Sequence, residues 1–184
     1  MEMEKKLCDK LLFDALSSLL QFNTIDKLTV SDIIKEAGVS RSTFYRYYCD
    51  KHDLLNSNYE KILENTLYRF KEGVKWEDAV YSIYHVIKIN LKLFQNAFKS
   101  SDVNSLKNYI FNMSRTFHLE ILEKNGVNIR EWKNIKVLES YIYGNLEIMQ
   151  IWILEGMDES IEDMMEVFDR GIPSEFIKYF KPSS

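Results

Sequence analysis

The sequence predicts an all-α protein. A small N-terminal unit of three helices should be followed by a larger helical domain. Three observations predict this. Apolar residues recur at three- and four-residue intervals along most of the 184 residues. Only two prolines (Pro173 and Pro182) and six glycines interrupt the pattern, and few breakers favour long helices. Residues 29–51, TVSDIIKEAGVSRSTFYRYYCDK, read as two short helices joined by a tight turn. The expected division is residues 1–50 for the helix-turn-helix unit and 51–184 for the second domain.

The first helix should span about 4–21, with Leu7, Leu11, Leu12, Ala15, Leu19 and Phe22 as its packing face. The second starts at Thr29, with Asp32 at capping-box spacing. Ile33, Ile34 and Ala37 form its narrow apolar side. Gly38 stands where a left-handed backbone costs glycine least, and Val39 should plug the gap between the two helices. Ser40 is a good N-cap for the third helix, about 41–48. There Phe44 and Tyr48, four apart, should face inward. Arg41, Ser42, Thr43, Tyr45, Arg46 and Tyr47 are left facing out. Polar and basic groups at the start of such a helix suit the major groove of DNA, where side chains read base edges.

A fourth helix is expected over 51–70, joining the two units, and a fifth over 76–98. A sixth should span 103–124, ended by Asn125 and Gly126. The seventh, about 129–155, carries two apolar rows. One is Ile135, Leu138, Ile142, Leu146, Met149 and Ile153; the other is Val137, Tyr141, Gly144, Ile148 and Ile151. An amphipathic helix needs one row, so two rows mean cover on both sides. Either the helix is central within one monomer, or its second side meets a partner. Gly144 would let another backbone come close. An eighth helix starts at Ser160, with Met164 and Phe168 on its apolar face, and a short closing turn spans 174–180.

With 46% hydrophobic residues, a substantial core is available, and no apolar run is long enough to span a membrane. The N-terminus lacks the apolar stretch of a secretion signal. Cys8 and Cys49 form no metal-spaced cluster and are expected to be reduced thiols in a cytoplasm. The histidines His52, His85 and His118 are scattered, and no phosphate loop or nucleophile elbow is present. No enzyme activity, metal or cofactor is therefore expected. Net charge is −4, and residues 1–56 carry eight basic and nine acidic groups. Non-specific DNA affinity should be modest, although residues 41–51 alone hold three basic groups against one acid.

Gly38-Val-Ser-Arg-Ser-Thr-Phe-Tyr-Arg-Tyr-Tyr, then Asp50-Lys51 and the pair Leu54-Leu55, resembles the recognition-helix signature of the TetR/AcrR family of transcriptional regulators. Thr43, Phe44, Tyr45, Tyr48, Lys51 and the Leu pair match it. Tyr47 stands where the family usually has His, and Cys49 where Pro is common. The resemblance covers about residues 5–60. It implies base readout by Arg41, Ser42, Thr43 and Arg46, with Ser40 beside them at the helix start and Arg46 able to lie along the backbone instead. Tyr45, Tyr47 and Lys51 would hold phosphates, with Thr29 as a fourth such contact.

Further expectations follow from the resemblance. Such proteins dimerise through their last two helices, which here offers Val137, Tyr141, Gly144, Ile148, Ile151, Met164 and Phe168. They bind palindromic operators, usually as repressors, and the sequence leaves activation open. Effectors sit among the middle helices, where Tyr84, His85, Lys88, Met113, Phe117, His118 and Tyr141 are the candidates. The second domain is short, so the effector could instead be a protein; one similar group works as an activator with a kinase-like partner. The competing class is an interaction protein that kept the fold and lost DNA.

Overall fold

In the computed structural model, which describes residues 2–181, the chain opens with α1, Glu2–Leu20. Cys8, Leu12, Ala15, Leu16 and Leu20 are its buried face. Of the expected face, Leu12 and Ala15 are buried and Leu19 packs on the core, but Leu7 and Phe22 are 61% and 86% exposed, and Leu11 is exposed as well. Leu7–Leu11 and Leu12–Leu16 are both four-residue ladders, so periodicity alone does not choose between them. Phe22 lies past the end of the helix and loses its phase.

A 3-10 turn at Ile25–Lys27 leads to α2, Val30–Ala37. The capping box forms: Asp32 N–H donates to the Thr29 hydroxyl at 3.2 Å, and Thr29 N–H donates to the Asp32 carboxylate at 2.9 Å. Gly38 ends α2 with φ 66°, a conformation costly for any residue with a Cβ. Ser40 caps α3, Arg41–Tyr47, by accepting from Thr43 N–H at 3.0 Å. Asp50 caps α4, Lys51–Asn65, in the same way.

Two expected helices are interrupted. α4 stops at Asn65 instead of reaching 70, because Thr66 leaves helical geometry at φ −129°, ψ −91°. Its hydroxyl donates to the Ile62 carbonyl at 2.6 Å, giving that backbone group a partner outside the helix ladder. A 3-10 segment, Leu67–Glu72, follows. The expected helix over 76–98 is two: α5, Trp76–Ile89, and α6, Leu91–Ala97. They part at Asn90, whose side-chain amide donates to the Val86 carbonyl at 2.9 Å. Such local side-chain bonds carry no apolar period, so the hydrophobic pattern runs through both breaks. α7 spans Leu106–Lys124 and α8 Trp132–Glu155, each starting three residues later than expected. α9, Ile161–Arg170, starts from the Ser160 cap, and α10, Ile177–Phe180, ends the described chain.

α1 packs on α2, α4 and α6, while α7 and α8 form a hairpin and α5 lies on α9. α4 touches α1, α5 and α7, so it is shared by both units. Hydrogen bonds cross the junction: Asn96 donates to the Leu20 carbonyl at 2.7 Å and Ser100 to the Asp26 carboxylate at 2.6 Å, while Asn56 of α4 donates to the Asn104 carbonyl at 3.0 Å within the second unit. At the far end, Phe180 of α10 sits against Trp76 and His118, with ring centres 5.1 and 5.0 Å away.

Candidate nucleic-acid interface

α3 has the two sides its sequence demands. Phe44 is fully buried and Tyr48 nearly so, while Arg41, Ser42, Tyr45 and Arg46 are exposed. Thr43 and Tyr47 are half-buried. Inward packing leaves the outer face free to meet a groove without disturbing the core.

The outward groups are already engaged with the protein. An Arg41 Nη donates to the Ser31 hydroxyl at 2.6 Å, across the turn to α2. Arg46 pairs with Glu4 of α1 at 3.3 Å and lies 6.0 Å from the Tyr47 ring centre. Ser40, Ser42 and Thr43 share a hydroxyl cluster, with oxygens 2.9 and 2.8 Å from the Ser40 oxygen. The Thr29 hydroxyl spends its one hydrogen on Asp32 at 2.7 Å. Lys51 donates to the carbonyls of Asp26 and Leu28 at 3.1 and 2.8 Å, leaving one ammonium hydrogen for a phosphate. Lys51 thus also clamps the turn that precedes α2.

One group that orients α3 was not singled out from the sequence. Asp9 of α1 is nearly buried and accepts from the Tyr48 hydroxyl at 2.7 Å. Its other oxygen accepts from Lys61 of α4 at 3.0 Å. The carboxylate therefore ties the end of the outward-facing helix to both supporting helices. Burial and the Asp9 charge push the Tyr48 phenol far above its ordinary range, so it stays a donor. A carboxylate one residue from buried Cys8, on the inner face of α1, was the available signal.

In the second domain, a cavity of about 110 Å³ lies among α4, α5, α7, α8 and α9. Of the residues expected around an effector, Tyr84, His118 and Tyr141 line it. The other four do not. His85 and Lys88 are exposed, His85 facing the Tyr81 ring at 6.1 Å. Met113 is half-buried elsewhere, and Phe117 is buried among Tyr68, Phe70 and Trp76. His85 and Lys88 lie off the apolar face of α5, and Met113 and Phe117 lie next to the row Ile110, Ser114 and His118 that meets the cavity from α7. The His118 ring is bonded through Nδ1 to the Ser114 carbonyl at 2.6 Å, and burial pushes its pKa down to about 4.

α8 separates its two rows. Leu138, Ile142, Leu146, Met149 and Ile153 are buried, whereas Gly144, Ile148 and Ile151 are exposed and Val137 and Tyr141 half-buried. The alternative of a helix covered all round by its own chain does not hold. A Cβ at Gly144 would meet nothing within 4 Å. Met164 and Phe168 correct the expectation: both are buried within the single chain, Phe168 stacking on Tyr84 at 5.5 Å. The exposed apolar residue of α9 is Val167. Both were chosen for their apolar spacing, which marks the inner face of α9.

Among the described residues, no helix is long and apolar enough to cross a membrane, and no His, Cys, Asp and Glu side chains gather as metal ligands.

Comparison with known proteins identifies the class to which this head and body belong. Residues 12–57 match the description "Bacterial regulatory proteins, tetR family", and residues 75–173 match "Transcriptional regulator C-terminal region". The chain belongs to the TetR family of transcriptional regulators, and its helix-turn-helix is the family's DNA-binding motif. Among curated proteins it is 30% identical over 63 residues to the uncharacterized HTH-type regulator YvdT of Bacillus subtilis. That match spans 34% of this chain and only 32% of YvdT. It is 25% identical over 133 residues to DhaS of Lactococcus lactis, an activator of the dhaKLM operon, covering 66% of this chain and 71% of DhaS. A TetR regulator structure from Streptococcus agalactiae superposes with TM-score 0.64 at 23% identity, over 91% of this chain and 96% of that one. A structure of DhaS superposes with TM-score 0.56 at 17% identity, over 90% and 92%.

Proposed function

We propose that the protein acts as a homodimer that sets the two copies of α3 into successive major grooves of a palindromic operator. Residues 1–50 would serve as the DNA-binding domain and 51–184 as the dimerisation and regulatory domain. The observation that carries this reading is α3 itself: Phe44 and Tyr48 are inside, and Arg41, Ser42, Tyr45 and Arg46 are outside. Arg41, Ser42, Thr43 and Arg46 read bases. Ser40, Tyr45, Tyr47, Lys51 and Thr29 hold the backbone, Thr29 and Lys51 while keeping or exchanging their internal bonds. The exposed row of Ile148 and Ile151 around Gly144, and exposed Val167 of α9, support the second copy. Two-fold symmetry then sets half-sites whole helical turns apart. DNA affinity is modulated at the C-terminal domain by a small molecule or a partner protein, which shifts the dimer between spacings of α3 by its differential affinity.

Binding at a promoter represses by occupancy. The likeness to DhaS, an activator, favours activation as the second reading. Selection of bound sequences from random duplexes tests the core. A palindromic consensus is expected, and Arg41→Ala should lower discrimination between that consensus and random DNA by about 1–3 kcal/mol. An unenriched pool would leave an interaction protein that kept the fold.

A further inference from the structure

The cavity in the second domain is lined mainly by Leu63, Leu67, Ile83, Ile110, Ile142 and Leu146. A few residues with polar groups interrupt that apolar wall: Tyr59, Tyr84, Tyr141, His118, Ser114, Asn145 and Asp169. Their charge state decides what can enter. Asp169 is held by Lys181, which also pairs with Glu77 at 3.2 Å. The His118 ring is neutral at neutral pH, because burial outweighs the Ser114 bond. With Nδ1 donating to that carbonyl, Nε2 is the ring's remaining nitrogen and an acceptor. The phenols of Tyr84 and Tyr141 are pushed up by burial, Tyr141 to about 12, so both are donors. An ion of either sign would lose its water here and meet no unpaired countercharge.

Size narrows the ligand further. An engineered apolar cavity of about 150 Å³ holds benzene, so the 110 Å³ here corresponds to about four or five heavy atoms. Tyr141 and Asn145 also line an outer groove of about 690 Å³ along α8, together with Trp132, Gly144, Ile148 and Pro173. Tyr141 and Asn145 therefore border both spaces, on the side from which a small molecule in the groove would approach.

We infer that this cavity is a binding site for a small, uncharged molecule of about four or five heavy atoms that donates one hydrogen bond to His118 and accepts one from Tyr84 or Tyr141. The inference rests on the reading that the second domain responds to an effector, and it specifies the chemistry of that site. A molecule so small cannot bind tightly; its affinity lies in the micromolar to millimolar range.

The test uses an isosteric pair on the full chain: propionamide, which is neutral, and propionate, which is charged. Both have five heavy atoms. Ring-15N signals of His118 are followed by NMR during titration, assigned with His118→Gln. Propionamide should move them saturably, with propionate at least ~10-fold weaker. Ser114→Leu, which fills the cavity from α7, should abolish the response. If that variant does not fold, an intermolecular NOE between propionamide and the His118 ring decides instead. Equal response to both probes, or no response to propionamide at 100 mM, overturns the assignment. Operator affinity is measured separately. A saturable His118 response with unchanged operator affinity keeps the site and removes its regulatory role.

Discussion

Acidification should unfold this protein earlier than its carboxylates alone require, and His118 is the reason. The ring is buried between Trp76, Phe117, Tyr141 and Phe180, with its pKa pushed from 6.5 down to about 4. In the unfolded chain the ring takes up a proton as pH falls through 6.5, whereas in the folded chain it does so only near 4. Between those values the unfolded state binds more protons, so stability falls as pH falls. The full contribution is present above pH 6.5 and gone below pH 4. A difference of 2.5 pH units between 6.5 and about 4, at 1.36 kcal/mol per unit, corresponds to about 3 kcal/mol. For a domain of this size that is a fall of roughly 6–12 °C in melting temperature. Asp32 and Glu139 are held low by hydrogen bonds, Asp32 by Thr29 and Glu139 by Lys136 and Arg115, so their losses come at still lower pH. The assay is thermal unfolding at half-unit steps from pH 7.5 to 4, on the wild type and on His118→Phe. The wild type should lose stability through the window while the variant stays nearly flat. Parallel curves would refute the buried neutral ring.

Two further perturbations check the remaining geometry. Tyr48→Phe removes the hydroxyl bonded to nearly buried Asp9 and should cost about 1.5–3 kcal/mol in urea unfolding, with weaker operator binding because α3 loses its tie to α1; an unchanged midpoint would mean that the bond contributes nothing. Ile148→Glu with Ile151→Glu places two charges on the outer row of α8, 41% and 47% exposed in the subunit, and should convert a dimer to a folded monomer in analytical ultracentrifugation; a surviving dimer would put the interface elsewhere.

The sequence made the helix-turn-helix legible almost residue by residue, because its determinants are local. A capping box, a left-handed glycine and an N-cap serine each act within four residues, and Thr29, Gly38 and Ser40 take those roles. The inner and outer sides of α3, and the two rows of α8, follow from helical period alone. What stayed hidden depends on neighbours distant in the chain. Asp9 meets Tyr48 across 39 positions, and Lys51 reaches back to the carbonyl of Asp26. The apolar spacing of Met164 and Phe168 marks them as inner-face residues of α9, but that this face meets α5 of the same chain and not a second copy depends on the distant segment. Four of the seven effector candidates failed for the same reason: a helix face can be read from spacing, but which of two adjacent faces borders a void depends on how five helices meet. The breaks at Thr66 and Asn90 were missed because side-chain bonds to the preceding turn leave the apolar rhythm intact.

The ion pair between Arg46 and Glu4 has a consequence for how DNA binding responds to salt. A free arginine that meets a phosphate releases a condensed counterion from the duplex, and each such release steepens the dependence of affinity on ionic strength. Where Arg46 lies along the DNA backbone instead of reading a base, it must first leave a carboxylate, which then recruits a cation of its own. The two ion exchanges largely cancel. Operator affinity should therefore vary less with salt than the number of phosphates touched implies, and Glu4→Gln should steepen that dependence by about one counterion.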